Sequence, residues 1–215
     1  LPQLASTDGS FCRLEASPSQ PSGAVRCWGH NVRGQLGQGD TLTRGNLPGS
    51  MDSLLPVDLG AGHHAVRVTG GGQHFCALLE DRRIKCWGSN TNGQLGLGDT
   101  APRGAFPGEM GDALTAVDLG MGRTALQVAA GKNFSCAVLD TGAVRCWGQN
   151  NFGQLGQGTF TQMGDRPGAV GDALALALAR SHFARALGLA EPLALALPLS
   201  KPLRLNRCLF FLALQ

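Results

Sequence analysis

No uninterrupted apolar run in these 215 residues approaches the ~20 residues that a membrane-spanning helix requires, so no membrane span is expected. Charged residues make up only 15% of the chain, and the net charge is +3. A balance that mild, and that evenly spread, excludes the basic stripe on which a nucleic-acid surface depends. Leu1 opens no basic segment followed by an apolar core, and no signal peptide is visible. There is no Cys-x-x-Cys pair and no ligand-like histidine spacing, which argues against zinc. The Gly-rich runs lack the Lys-Ser/Thr ending of a phosphate loop, and the Gly-Gly-x-Gly-x-Asp spacing of calcium-binding β-rolls is missing. His63, His64, His74 and His182 stand in no Ser/Cys/Asp constellation and read as structural. Neither a catalytic site nor a cofactor is expected.

What the chain does have is glycine, 32 residues of it, with 43% hydrophobic residues. That composition describes a globular, turn-rich protein without long helices. It also has a repeat. Cys86-Trp87-Gly88-Ser89-Asn90 runs on to Gly93-Gln94-Leu95-Gly96-Leu97-Gly98. The same pattern starts at Cys27-Trp28-Gly29 with Gly34-Gln35-Leu36-Gly37, and at Cys146-Trp147-Gly148 with Gly153-Gln154-Leu155-Gly156. The motif cysteines lie 59 and 60 residues apart, and all three tryptophans of the chain belong to the motif. The linkers keep the period too, in Pro48-Gly49, Pro107-Gly108 and Pro167-Gly168. Fixed-period self-similarity signals a repeat architecture and outranks local readings.

The Cys-Trp-Gly-x-Asn-x-x-Gly-Gln-Leu-Gly-x-Gly pattern resembles the repeats of the regulator of chromosome condensation family, over roughly residues 8–175. The resemblance implies blades of a seven-bladed β-propeller. Paired cysteines depart from the usual intracellular members and are closer to the cysteine-containing, secreted-type variants. The family's best-known activity is guanine-nucleotide exchange on a Ran-like small GTPase, which needs a full propeller and a protruding wedge. The constant spacing of 59–60 residues leaves no room for such an insertion. Relatives also include a secreted propeller that inhibits β-lactamase, so the scaffold can serve as a protein-binding inhibitor.

The strand pattern agrees with a propeller. In Phe75-Cys76-Ala77-Leu78-Leu79 both alternating faces are apolar, so both must be covered, as in radially stacked blades. Hairpins follow from Phe134-Ser135-Cys136-Ala137-Val138-Leu139, the loop Asp140-Thr141-Gly142, and Ala143-Val144-Arg145-Cys146-Trp147. A three-residue loop ending in Gly suits a type I turn closed by a left-handed residue. Gly23 holds that place in the first copy; in the second it is Arg82, a local conflict. We therefore expect an all-β protein, an open arc of about three four-stranded antiparallel blades. The repeats divide near 1–47, 48–106 and 107–166, with a degenerate fourth starting at 167. A Leu/Ala/Pro-rich tail, irregular or weakly helical, is expected over 176–215.

Seven cysteines resolve into three pairs and Cys208. Counting across the hairpin loops places Cys136 opposite Cys146 and Cys76 opposite Cys86, with Cys12 and Cys27 as the longer-looped copy. Directly opposed strand residues come close enough for a disulfide, and three cross-strand disulfides are expected; buried free thiols are the alternative. Disulfides place the protein outside the cell or in the secretory pathway, the nucleus or cytoplasm being the alternative. Trp28, Trp87 and Trp147 read as blade packing, with sugar stacking as the rival, and Leu36, Leu95 and Leu155 as plugs of the loops. Asp40, Asp99, Asp58 and Asp118 recur as loop caps. The function expected is a non-enzymatic protein–protein interaction module. Its rivals are an exchange factor and a secreted carbohydrate-binding module. Uncapped blade faces predict self-association.

Overall fold

The structure, a computed structural model, describes residues 3–15 and 23–173, together with the backbone of 176–177. The remainder of the expected tail, Cys208, His182 and the extra loop residues from Ser17 to Pro21 lie outside the described residues.

Three antiparallel sheets follow one another along the chain. The first comprises β1 (Gln3–Ser6), β2 (Ser10–Leu14) and β3 (Val25–Gly29). The second comprises β4 (Ala65–Gly70), β5 (His74–Leu79) and β6 (Ile84–Gly88). The third comprises β7 (Ala125–Ala130), β8 (Phe134–Leu139), β9 (Val144–Gly148) and the two-residue β10 (Leu176–Ala177), in the order β10-β9-β8-β7. Among the described residues only the third sheet has four paired strands. In the others the fourth position shrinks to one backbone bond, from Val57 N to Val25 O (2.7 Å) and from Val117 N to Ile84 O (2.8 Å). Pro56 has no N–H to extend the first of these into a ladder. Ala177 pairs with Val144 in that same register, so the first two residues of the expected tail complete the third blade.

The hairpin turns explain the odd copy. Arg82 takes φ 64° where Gly142 takes φ 77°, and each donates its N–H to the carbonyl of the last strand residue, Leu79 or Leu139. Arginine tolerates the left-handed position here because the turn is exposed and no glycine-only approach is involved.

Blades stack face to face around two buried cores. Cys12, Leu14, Val25 and Cys27 of the first blade meet Val68, Phe75, Ala77, Leu79 and Trp87 of the second. The opposite face of the second blade, with Cys76, Leu78, Ile84 and Cys86, meets Val128, Ala137, Leu139 and Trp147 of the third. Every residue of β5 and β6 is buried, which is the physical meaning of a strand apolar on both sides. At the inner edge the turns before β2, β5 and β8 bond in series, Asp8 N to Gly72 O (2.8 Å) and Gly72 N to Lys132 O (2.7 Å). Glycine is required beside this joint. A Cβ at Gly71 would sit 2.3 Å from the Gly131 carbonyl.

Candidate interaction surface and its supporting motif

The disulfides occupy equivalent places on the paired strands. Cys12–Cys27, Cys76–Cys86 and Cys136–Cys146 have Cα–Cα separations of 4.1, 4.1 and 4.0 Å, each pair directly opposed in its hairpin. The first two are sealed under the following blade, whereas Cys136 is half-buried.

The repeated loop is fixed by its own polar side chains. Asn31, Asn90 and Asn150 each accept, through Oδ1, the N–H of Leu36, Leu95 and Leu155 at 2.8, 3.0 and 3.0 Å. Their amides donate back to the far arm of the loop, to the Asp40, Asp99 and Thr159 carbonyls. Gln35, Gln94 and Gln154 accept the N–H two residues before them through Oε1. Leu36, Leu95 and Leu155 are completely buried as a result. Asp40 and Asp99 also receive Arg44 and Arg103, and the Arg44 guanidinium holds the Asp40 carboxyl below the usual carboxylate range.

The tryptophans lock one blade to the loop of the blade before it. Trp87 Nε1 donates to the Gln35 carbonyl and Trp147 Nε1 to the Gln94 carbonyl, both at 3.0 Å. Both indoles are fully buried and therefore present no face for a sugar to stack on. Trp28, on the outer face of the first blade, is half-buried and stacks on Phe11.

Two further groups escaped the sequence reading. The residue before each motif cysteine is basic, and the structure turns it onto the inter-blade linkers. Lys85 Nζ donates to the Leu59 and Gly111 carbonyls at 2.8 and 2.9 Å, and Arg145 Nη1 to those of Leu119 and Gly171. Arg26 reaches the Leu54 carbonyl. Burial depresses the Lys85 ammonium below its ordinary value. The recurrence Arg-Cys, Lys-Cys, Arg-Cys was the available signal. The second group is His74, whose Nε2 lies 2.9 Å from Ser135 Oγ, which in turn donates to the Gln94 carbonyl at 2.9 Å. Burial lowers the His74 pKa to about 4. A neutral ring donating through Nε2 satisfies the chain from imidazole to hydroxyl to carbonyl. It leaves that serine proton already committed, the opposite of a nucleophile–base pair.

Large exposed apolar side chains gather where β3, β6 and β9 end, in the connections that follow. They include Val32, Leu42, Leu47 and Leu55 after the first blade, Phe106 (63% exposed) after the second, and Phe152 (87%) and Phe160 (74%) after the third. Leu55, Pro56, Phe106, Pro107 and Met110 line a cleft of about 300 Å³ between the first loop and the second linker. Among the described residues no group of three or more His, Cys, Asp or Glu could hold a metal ion.

The sequence model of the regulator of chromosome condensation (RCC1) repeat matches residues 22–78 and 85–138, more than half of the chain. The chain belongs to the RCC1 repeat family. A second model of this repeat matches 65–94 and 126–154. Among curated relatives, the ultraviolet-B receptor UVR8 of Arabidopsis thaliana is 35% identical over 63% of this chain and 28% of its own length. The probable E3 ubiquitin-protein ligase HERC6 of Homo sapiens is 34% identical over 62% of this chain and 12% of its own. The RCC2 homolog of Xenopus laevis is 30% identical over 72% and 27%. This chain thus spans less than a third of each of these relatives. Human WBSCR16 shares the fold at TM-score 0.54 and 18% identity, over 77% of this chain and 39% of that one. Yeast RCC1 (Prp20), solved bound to Kap60, shares it at 0.51 and 21%, over 72% and 31%. The RCC1 fold of consecutive β-propeller blades is therefore that of this chain, and it is a protein-interaction fold.

Proposed function

We propose that this chain is a non-catalytic module that binds a protein partner through the connections leaving β3, β6 and β9, and that it works in an oxidising compartment. The observation that carries the reading is the division of labour within each repeat. Asn, Gln, Leu and Gly of the motif are consumed by the loop's own hydrogen bonds and core, while the variable positions expose Val32, Leu42, Leu47, Phe106, Phe152 and Phe160. Apolar side chains of that size, held on rigid loops, are the raw material of an interaction surface. The three cross-strand disulfides support the compartment. The repeat region is taken as 1–175, as its motifs mark it, extended by the β10 pair Leu176–Ala177, with 178–215 as a separate tail.

The test is a triple substitution, Phe106→Ser, Phe152→Ser and Phe160→Ser, in the oxidised chain. Partners recovered by cross-linking from an extracellular fluid should be lost, while the denaturation midpoint stays unchanged. Retention of every partner by the triple variant would place binding elsewhere. Mixing the chain with a GDP-loaded Ran-type GTPase addresses the exchange-factor alternative, since accelerated GDP release would replace the non-catalytic reading.

A further inference from the structure

We propose that the cleft between the first loop and the second linker takes an extended basic segment of the partner, with an aliphatic side chain in the cleft and an arginine at its rim. The inference rests on the reading that the connections leaving β3, β6 and β9 bind a protein, and it names the chemistry of what they bind. The cleft lies at an inner joint, bounded by residues 37–58 of one repeat and 106–110 of the next, all of them described.

The chain builds this groove twice and lines it differently. Gly39 N donates to the Gly104 carbonyl at 3.0 Å, and one joint later Gly98 N donates to the Gly164 carbonyl at 3.1 Å. The floor comes near the wall in both: a Cβ at Gly39 would lie 3.3 Å from Pro107 Cα, and one at Gly98 3.7 Å from Pro167 Cα. Val57 and Val117 donate to the Val25 and Ile84 carbonyls, and Gly111 and Gly171 to those of Asp58 and Asp118. That correspondence sets Leu55, Pro56, Phe106 and Met110 where the next joint has Thr115, Ala116, Arg166 and Val170. The fold therefore accepts threonine and arginine at the places of Leu55 and Phe106, which are 67% and 63% exposed and add nothing to the core. Their apolar surface faces the cleft, whose volume of about 300 Å³ suits an aliphatic side chain.

Charge names the rest of the occupant. Residues 45–62 and 104–122, the linkers beside the cleft, carry Asp52, Asp58, Glu109, Asp112 and Asp118 and no lysine or arginine, in a chain whose net charge is +3. The flanking Arg44, Arg103 and Arg123 are each paired with an aspartate. Asp58 lines the cleft, and its Oδ1 accepts the Gly60 N–H at 2.9 Å, which fixes the carboxylate. Lys85 interacts with that charge but gives its ammonium to the Leu59 and Gly111 carbonyls. At the second joint Arg166 puts a cation in the wall itself, so an incoming cation is directed to the first. Arginine fits best, because its flat guanidinium pairs with a carboxylate and lies against an aromatic ring such as that of Phe106.

The experiment is a fluorescence anisotropy titration of the oxidised 215-residue chain with labelled peptides Arg-Leu-Arg-Leu-Arg, Glu-Leu-Glu-Leu-Glu and Arg-Ser-Arg-Ser-Arg. Two variants accompany the parent. Leu55→Thr with Phe106→Arg gives the first cleft the lining of the second, which the fold already carries, and Asp58→Asn keeps the acceptor for Gly60. Saturable binding is expected for the arginine–leucine peptide alone, weaker as salt rises. The double variant should lower its affinity roughly tenfold or more, as loss of an aromatic anchor does. Asp58→Asn should lower it about threefold to fivefold, the scale of one exposed ion pair. A parent that ignores this peptide, or binds the acidic one as well, overturns the proposal, as does a double variant that binds like the parent. Self-association abolished by the double variant would give the cleft to a second copy and overturn it too. Cross-linked partners lost by the triple phenylalanine variant but kept by the double variant would sink the cleft alone, leaving the wider surface in place.

Discussion

The indole of Trp147 donates to the Gln94 carbonyl across the boundary between the second and third blades, and Ser135 Oγ donates to that same carbonyl. The corresponding bond one joint earlier, Trp87 to Gln35, stands without a serine, because Phe75 fills the place of Ser135. The two tryptophans are thus equally buried and differently backed.

That difference is measurable. Trp87→Phe strips the Gln35 carbonyl of its side-chain donor and should cost about 1–3 kcal/mol, the penalty of a buried acceptor left unpaired. Trp147→Phe leaves Ser135 on the Gln94 carbonyl and should cost less, about 1 kcal/mol. Alanine at either position should cost ~3–5 kcal/mol through the lost aromatic volume. Urea unfolding of the oxidised variants reads all four values. Equal losses for the two phenylalanine variants would remove the serine from the account.

Acid should weaken the joint through His74. Its folded pKa, about 4, lies below the ordinary histidine value, so between about 6.5 and 4 the unfolded chain binds the proton that the folded chain refuses. The contribution is complete above about pH 6.5 and is lost as pH falls toward 4. Over that window it amounts to roughly 3 kcal/mol. Urea midpoints followed from pH 7.5 to 4.5 should therefore decline, and His74→Gln should flatten the decline. A parent whose midpoint is level across this range would contradict a neutral, buried ring.

Lys85 and Arg145 hold equivalent linkers by the same kind of bonds. Lys85→Arg should therefore be nearly neutral, whereas Lys85→Met abandons two carbonyls at about 1.5–3 kcal/mol. Thermal unfolding of the two variants side by side decides it; a tolerated methionine would show that water satisfies the Leu59 and Gly111 carbonyls equally well.

Much of this was readable along the chain. The hairpin count that set Cys136 against Cys146 and Cys76 against Cys86 matches the observed register, because a loop of fixed length admits one pairing. The two-sided burial of β5 followed from its unbroken apolar run. What stayed hidden are contacts between one repeat and the next. A period shows that Trp87 and Trp147 are equivalent, but not that each reaches back to the preceding loop. Nor does it show that His74 faces Ser135, a pair that the preceding joint does not repeat, with Ser10 and Phe75 at those places. The shortened fourth strand was hidden for a different reason. In the first two blades it rests on one bond each, beneath what a pattern of strand residues can register.

The central claim, disulfide-stapled RCC1 blades, is tested most directly by non-reducing peptide mapping of the intact chain after alkylation. The account predicts Cys12–Cys27, Cys76–Cys86 and Cys136–Cys146 as the only cross-linked peptides, with Cys208 alkylated. Six alkylated blade cysteines in protein made under oxidising conditions, or a bridge joining cysteines of different blades, would contradict it.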